Sequence, residues 1–236
     1  MIEEIAESLH KGTDSPMRIH LIGVAGSGMS GIASLLIELG HRVSGSDLAM
    51  TRETERLQRA GLDFHCPHCA ELLNDAELVI YSSAIKPGNI VYDAALTMGL
   101  PMLRRAEALS LIMKGQRGIV IAGTHGKTTT AAMAAHVLRA AGVAPSHYVG
   151  AEIPILGTNA HWDGKGEYFV AEGDESDGSL VEFHPYLSLL LNIEEEHLDY
   201  YSGGIGEIRE VFRRFVESTE KGIVYCGNDA EAVSYT

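Results

Sequence analysis

Eight consecutive residues, Gly123-Thr124-His125-Gly126-Lys127-Thr128-Thr129-Thr130, carry the most specific chemistry in the chain. The apolar run Ile119-Val120-Ile121-Ala122 leads into them and an alanine-rich stretch follows, so strand, glycine loop, Lys-Thr and helix come in the order of a phosphate cradle. In such a cradle backbone N–H groups wrap the phosphates, the lysine ammonium reaches the β and γ oxygens, and the threonine hydroxyl meets Mg2+. The pattern G-x-x-x-x-G-K-[ST] asks for glycine at Ile121 and fails there; the loop is the shorter form G-x-x-G-K-T. The expected phosphate-binding loop comprises Gly123, Thr124, His125, Gly126, Lys127, Thr128 and Thr129.

A second glycine loop lies nearer the N-terminus. Gly26, Gly28 and Gly31 match G-x-G-x-x-G, enclose Ser27 and Met29, and follow an apolar strand pattern directly into a helical one. Glycine serves there for a tight turn, for close approach of backbone N–H groups to a diphosphate, and for close packing of helix on strand. The start of the helix adds roughly half a positive charge. Asp47 ends the next strand about 20 residues on, where a carboxylate can accept from a ribose or another hydroxylated group. Ser82 and Ser83 follow a third strand at the end where open α/β sheets bind ligands, although serine is also an ordinary turn residue. The motif implies a nucleotide diphosphate without separating NAD from a nucleotide sugar, and a glycine turn that only permits close packing is the plainer alternative.

Acidic residues cluster at Gly173-Asp174-Glu175-Ser176-Asp177-Gly178, where the carboxylates repel one another unless a cation intervenes. Mg2+ beside a triphosphate is the obvious cation, and it usually takes only one or two protein carboxylates. A solvated acidic loop is the alternative. His197 follows the strand pattern Leu187 to Asn192, hence lies near the same crevice, as a ligand or as a structural imidazole. His65-Cys66-Pro67-His68-Cys69 offers a single C-x-x-C without a second pair, which reads as a Cys-rich loop before it reads as a zinc site.

These groups need elements to hold them. Short Val/Ile/Leu-rich runs alternate with helical stretches from Met17 onward, the rhythm of parallel β-α units. The pattern predicts strands at Arg18 to Val24, Arg42 to Ser46, Leu62 to His65, Glu77 to Tyr81 and Pro101 to Arg104, with helices in the gaps. The clearest helix runs from Gly28 to Leu39, with Gly40 placed for a left-handed cap. A second set follows: strands Gly118 to Ala122, Tyr168 to Glu172, Leu187 to Asn192 and Gly222 to Cys226, with helices after Lys127 and from about Gly204. Ile2, Ile5, Ala6 and Leu9 mark a short amphipathic helix at the front. The expected class is α/β: a 1–16 extension, a Rossmann-like parallel-sheet domain over 17–114, and a P-loop ATPase-type α/β central domain over 115–236, incomplete because few strands have accumulated by Thr236.

The 236 residues, 45% hydrophobic and 21% charged, have the balance of a globular chain. A formal charge of -14 without a basic block argues against nucleic acid as partner, since phosphate neutralisation needs clustered cations. Three cysteines cannot build a disulfide framework, no apolar run approaches the ~20 residues of a membrane span, and Glu3, Glu4 and Glu7 do not suit a signal peptide. A cytoplasmic protein without a membrane partner is expected.

Order and spacing together resemble the Mur ligase family. The residues that carry this resemblance are G-V-A-G-S-G-M-S-G-I-A from Gly23, G-S-D ending at Asp47, S-S-A-I at Ser82, G-T-H-G-K-T-T-T at Gly123, G-T-N-A at Gly157, D-E-S-D-G-S at Asp174 and N-I-E-x-x-H-L-D at Asn192. The resemblance implies an N-terminal domain that holds a UDP-sugar, a central ATPase domain, and a C-terminal amino-acid domain that this chain lacks. It implies UDP-N-acetylmuramate, ATP and L-alanine as substrates, Mg2+ as the cation, and an acyl phosphate as the activated carboxylate; a member adding a tripeptide to the same sugar is the rival within the family. By resemblance the loop from Gly123 to Thr129 is an ATP site, and Lys127, Glu175 and His197 are the catalytic set, with Thr128, Glu175 and His197 on metal. Gly26, Ser27, Gly28, Met29, Asp47, Ser82 and Ser83 would meet the UDP-sugar, and His125 and Asn159 its muramoyl part. Gly173 stands where the family usually has Ala, Glu195-Glu196 where it has Ala-Asp, and Leu180 where it has Phe. A nicotinamide-dependent oxidoreductase would explain the first loop alone, and a binding module without turnover is the third reading.

Overall fold

A computed structural model describes residues 2–235, and the chain divides into two compact units. One contains the residues up to Ile112 together with Ala160–Trp162; the other contains Met113–Asn159 and the residues from Asp163 onward.

In the first unit five strands, β1 (Arg18–Ile22), β2 (Arg42–Ser46), β3 (Asp63–His65), β4 (Leu78–Tyr81) and β5 (Met102–Arg104), pair in parallel in the order β3-β2-β1-β4-β5. The order reverses beside β1, and ligands of open α/β sheets gather at the strand ends of such a switch point. Strand β1 stops at Ile22 and not at Val24, because Gly23 turns with φ +84° and both Gly23 and Val24 donate their N–H groups to the Ser46 carbonyl. Helix α1 (Ile2–His10) buries Ile5, Ala6 and Leu9. Helix α2 (Ser27–Glu38) starts at the glycine loop and is followed by Gly40 in the left-handed region at φ +94°. Helix α3 (Arg52–Ala60) opens with a Thr51/Thr54 capping box, α4 (Ile90–Met98) with Asn89 accepting from Val91 and Tyr92, and α5 (Arg105–Met113) closes the unit. The short strand β8 (Ala160–His161) groups with this unit against α2, where Glu38 accepts from the Trp162 N–H at 2.5 Å and faces His161 at 3.1 Å. Nothing in the sequence pattern marks that excursion.

The second unit is built on β6 (Arg117–Ala122), β7 (Ser146–Tyr148), β9 (Tyr168–Glu172), β10 (Leu187–Leu190) and β11 (Gly222–Tyr225) in the order β11-β10-β6-β9-β7, all parallel. Strand β7 is absent from the sequence expectation because Ser146-His147-Tyr148 has no apolar run; pairing with Phe169 to Ala171 makes it a strand. Helix α6 (Lys127–Ala140) packs through Ala131, Ala132 and Ala135 against Ile119, Ile121 and Val170, the small methyl groups letting it lie close to the sheet. Helices α7 (Ile205–Glu217) and α8 (Ala230–Val233) complete the unit. No described helix is long and apolar enough to cross a membrane.

One buried polar chain underlies the first loop. His20, fully buried in β1, bonds Ser44 Oγ through Nδ1 at 2.9 Å and Ser46 Oγ through Nε2 at 3.1 Å, and Ser46 Oγ meets His68 Nδ1 at 2.9 Å. Burial, followed by the nearby His65 and His68, holds the His20 pKa down at about 4, with Asp63 opposing. A depressed histidine favours folding above its unfolded value of 6.5 and loses that contribution as the pH falls toward 4. At about 1.4 kcal/mol for each tenfold change in proton affinity, the loss approaches ~3 kcal/mol. Urea unfolding followed at pH 7, 5.5 and 4 should show this slope in the wild type and a flatter one in His20→Gln; equal slopes would remove His20 as its source.

Candidate functional site

The second unit brings the G-x-x-G-K-T loop and the acidic segment together. Gly123 leaves β6 with φ +143°, and a Cβ there would stand 3.0 Å from the Asn192 carbonyl oxygen, so only glycine lets the loop pass that close to the end of β10. Gly126 caps α6 with φ +84°. Among the described residues the N–H groups of Gly126, Lys127, Thr128 and Thr129 have no hydrogen-bond acceptor, whereas Thr130 N–H already reaches the Gly126 carbonyl. Four N–H groups without an acceptor thus coincide with the positive end of a 14-residue helix, the arrangement that suits an anion.

Lys127 closes the loop from within. Its Nζ donates to the carbonyls of Gly123 at 2.7 Å and Thr124 at 3.0 Å, and to Glu175 Oε1 at 2.8 Å. The pair is nearly dry, with side-chain exposures of 14% for Lys127 and 4% for Glu175. Burial pushes the Glu175 carboxyl up, and Lys127 opposes that shift. Glu175 Oε2 is buried with no hydrogen-bond partner. A buried carboxylate oxygen without a donor carries the full desolvation penalty, and a cation is the partner that removes it.

His197 Nε2 lies 3.7 Å from Glu175 Oε1, so the structure brings those two predicted residues together. His197 sits in the left-handed region at φ 56°, and its carbonyl accepts from Tyr200 and Tyr201 N–H, which fixes the turn that presents the ring. Tyr201 donates its hydroxyl to the Glu175 carbonyl, and burial pushes that phenol well above its ordinary range. Thr128, expected on the same metal, donates its hydroxyl to Glu172 Oε2 at 2.9 Å, and Glu172 also accepts from Gly150 N–H at 2.7 Å. Glu172 is missing from the sequence expectation although it ends β9 three residues before Glu175. No group of three or more His, Cys, Asp or Glu among the described residues is arranged to hold a metal. A cation here would thus draw on the Glu175 carboxylate, the Thr128 hydroxyl and phosphate oxygens, a hard-oxygen set that fits Mg2+.

The family departures also resolve locally. A Cβ on Gly173 would meet Leu180 Cδ1 at 2.6 Å, so the fully buried Leu180 fills the space an alanine methyl would take; the two departures are one packing solution. Glu195 Oε1 accepts from Ile205 N–H at the start of α7, a structural duty. Glu196 stands 3.5 Å and Glu194 3.7 Å from His125 Nε2. Asn159 is buried, with its carbonyl accepting from Val149 N–H.

In the first unit, Gly26 caps α2, and Ser27, Gly28 and Met29 form its first turn, with Met29 buried. Asp47 accepts from Ala25 N–H at 2.8 Å and from Leu48 N–H at 2.7 Å, holding the glycine loop while each carboxylate oxygen keeps a second lone pair. Ser82 abuts the loop, its Cβ 3.2 Å from where a Gly23 side chain would begin, and Ser83 beside it is exposed. His65 pairs with Asp63 at 3.1 Å, His68 Nδ1 meets Ser46 Oγ and Cys69 Sγ donates to Glu71, so these three side chains have separate partners, while Cys66 is exposed.

Residues 18–117 match the model of the Mur ligase family catalytic domain, and residues 121–235 that of the Mur ligase middle domain. The chain belongs to the Mur ligase family. It is 45% identical over 92% of its length to the UDP-N-acetylmuramate--L-alanine ligase of Pelotomaculum thermopropionicum, and 41% identical over 85% to that of Aquifex aeolicus. It spans about half the length of these relatives, 47% and 44%. The crystal structure of a UDP-N-acetylmuramate-alanine ligase from Thermotoga maritima superposes with TM-score 0.86 at 29% identity, over 93% of this chain and 51% of that one. A UDP-N-acetylmuramate:L-alanyl-gamma-D-glutamyl-meso-diaminopimelate ligase from Neisseria meningitides gives 0.85 at 30% identity, over 93% and 74%.

Removing one member of a buried pair costs more than neutralising it in place. Lys127→Met leaves the Glu175 carboxylate without its cation and should destabilise the second unit by about 2 kcal/mol in urea unfolding. Glu175→Gln keeps an acceptor for Lys127 and should cost clearly less. A larger loss in the glutamine variant would contradict this account of the pair.

Proposed function

We propose that the chain is the sugar-nucleotide-binding and ATP-binding part of a ligase that joins L-alanine to UDP-N-acetylmuramate. The observation that carries this reading is the Lys127–Glu175 pair beside four unpaired N–H groups, with one buried Glu175 oxygen unpartnered. Triphosphate oxygens would take Lys127 and the free N–H groups, and Glu175 with Thr128 would hold Mg2+, with His197 beside them for a second metal. Mg2+ supplies neutralisation of the charge that gathers on the transferring phosphoryl oxygens.

In the reaction proposed, a carboxylate oxygen of the lactyl group bonds to the γ-phosphorus while the bond to the β-γ bridging oxygen breaks and ADP leaves. The alanine amine then attacks the acyl carbon, loses a proton, and expels phosphate. Lys127 and the α6 N-terminus stabilise the phosphoryl charge in place, which is positioning and electrostatics more than covalent chemistry. In the first unit the loop from Gly26 to Met29, with Asp47, Ser82 and Ser83, would hold the UDP part. The groups that receive alanine would belong to the half of its relatives' length that this chain does not span. The setting proposed is the cytoplasm.

The tripeptide-adding alternative is supported by the Neisseria structure at 30% identity, and the alanine reading by curated relatives at 41–45%. A nicotinamide oxidoreductase would leave the whole second loop without a purpose. Calorimetric titration with UDP-N-acetylmuramate, beside NAD, is the test. Saturable binding of the sugar nucleotide alone is expected, retained in Lys127→Ala while Mg-ATP binding is lost; binding of NAD alone would sink the ligase reading.

A further inference from the structure

A cradle for phosphate must turn its N–H groups toward the anion and its carbonyls away, and a loop this short has little of its own to enforce that choice. Lys127 restrains the carbonyls of Gly123 and Thr124. The next residue, His125, is held from outside the loop. Asn192 Oδ1 accepts from His125 N–H at 2.7 Å, and Asn192 Nδ2 donates to the His125 carbonyl at 3.1 Å. One primary amide thereby grips both main-chain polar groups of one residue, as a neighbouring strand would. The main chain reinforces the grip: the Asn192 carbonyl accepts from Thr124 N–H at 3.0 Å, and Thr124 Oγ1 accepts from Glu194 N–H at 2.8 Å. Gly123 is glycine at the same place, where a Cβ would stand 3.0 Å from the Asn192 carbonyl oxygen and 3.1 Å from its nitrogen.

We propose that Asn192 is the positioning residue of the phosphate loop, fixing the His125 peptide groups outward so that Gly126 to Thr129, and not His125, supply the N–H donors to phosphate. This rests on the ATP reading of the loop and adds to it the residue that sets the loop's shape. The chemistry is narrow. An aspartate at 192 keeps the acceptor, loses the donor and turns a carboxylate toward the His125 carbonyl; a glutamine reaches one methylene too far; an alanine offers neither group.

Inorganic triphosphate with Mg2+ probes the loop without any contribution from an adenine pocket. In calorimetric titrations Asn192→Ala should bind it about tenfold more weakly than wild type, because both amide bonds to the loop are lost, while binding UDP-N-acetylmuramate with unchanged affinity. Asn192→Asp should bind triphosphate no better than Asn192→Ala at pH 8, because the carboxylate keeps the acceptor for the His125 N–H but meets the His125 carbonyl where the amide donated, while its sugar-nucleotide affinity stays at the wild-type value. A merely structural asparagine would not separate the two ligands in that way. Triphosphate affinity within twofold of wild type in Asn192→Ala overturns the proposal, as does an equal loss of sugar-nucleotide binding, which would mean general unfolding. Wild type binding triphosphate no better than Lys127→Ala would instead bring down the ATP reading and this inference with it.

Discussion

A glycine loop proposed to wrap phosphate has few side chains of its own to stiffen it, because the ligand's approach forbids most of them. Both units answer with a polar side chain from the end of the adjacent parallel strand. In the first, Asp47 follows β2 and takes the Ala25 N–H. In the second, Asn192 follows β10 and takes both polar groups of His125. Parallel pairing brings the C-terminal ends of neighbouring strands to one edge, so the brace is a consequence of topology. What differs is charge. The first unit uses a carboxylate that still has lone pairs for ligand hydroxyls, and the second uses a neutral amide, which adds no negative charge beside the expected triphosphate.

Electrostatics within the second loop follow from the same economy of groups. The chain carries a formal charge of -14, so a phosphate meets no general attraction and depends on local donors. The strongest of these, Lys127, is engaged by Glu175 and two loop carbonyls. Ligand phosphates would compete with Glu175 for Lys127, and a cation would compete with Lys127 for Glu175. The two exchanges suit each other, since each ligand satisfies the group the other displaces. Separation of the pair without both would leave a buried charge unpaired, which is the costly outcome.

Much of this was legible in the chain because strand, loop and helix boundaries coincide with local signals. The β2 and β9 boundaries match the pattern, Gly40 takes the left-handed conformation its place after α2 requires, and Lys127 opens α6. Lys127, Glu175 and His197 lie together as the motif order suggested. What was not legible depends on partners distant in sequence. Strand β7 exists only through β9, Ala160–Trp162 leave their sequence neighbours for α2, and Glu172 reaches Thr128 across 44 positions. Asn192 stood in plain view inside a motif, yet nothing in its local pattern says that its amide reaches His125 67 positions back.

The shortened loop itself has a structural reason. The longer template would place its first glycine at Ile121, but Ile121 is a fully buried member of β6 that packs against α6 and pairs with Leu189 and Glu172. Glycine there would weaken the central strand of the sheet and open a hole beneath the helix. The turn therefore starts two residues later, at Gly123, and only the pair of residues Thr124 and His125 separates the two glycines. Within so short an arc Lys127 Nζ bridges the Gly123 and Thr124 carbonyls, and the Thr124 N–H and both main-chain polar groups of His125 turn to the segment Asn192 to Glu194. An insertion in this loop would restore length at the expense of that contact. The brace from β10 and the brevity of the loop are thus two sides of one arrangement.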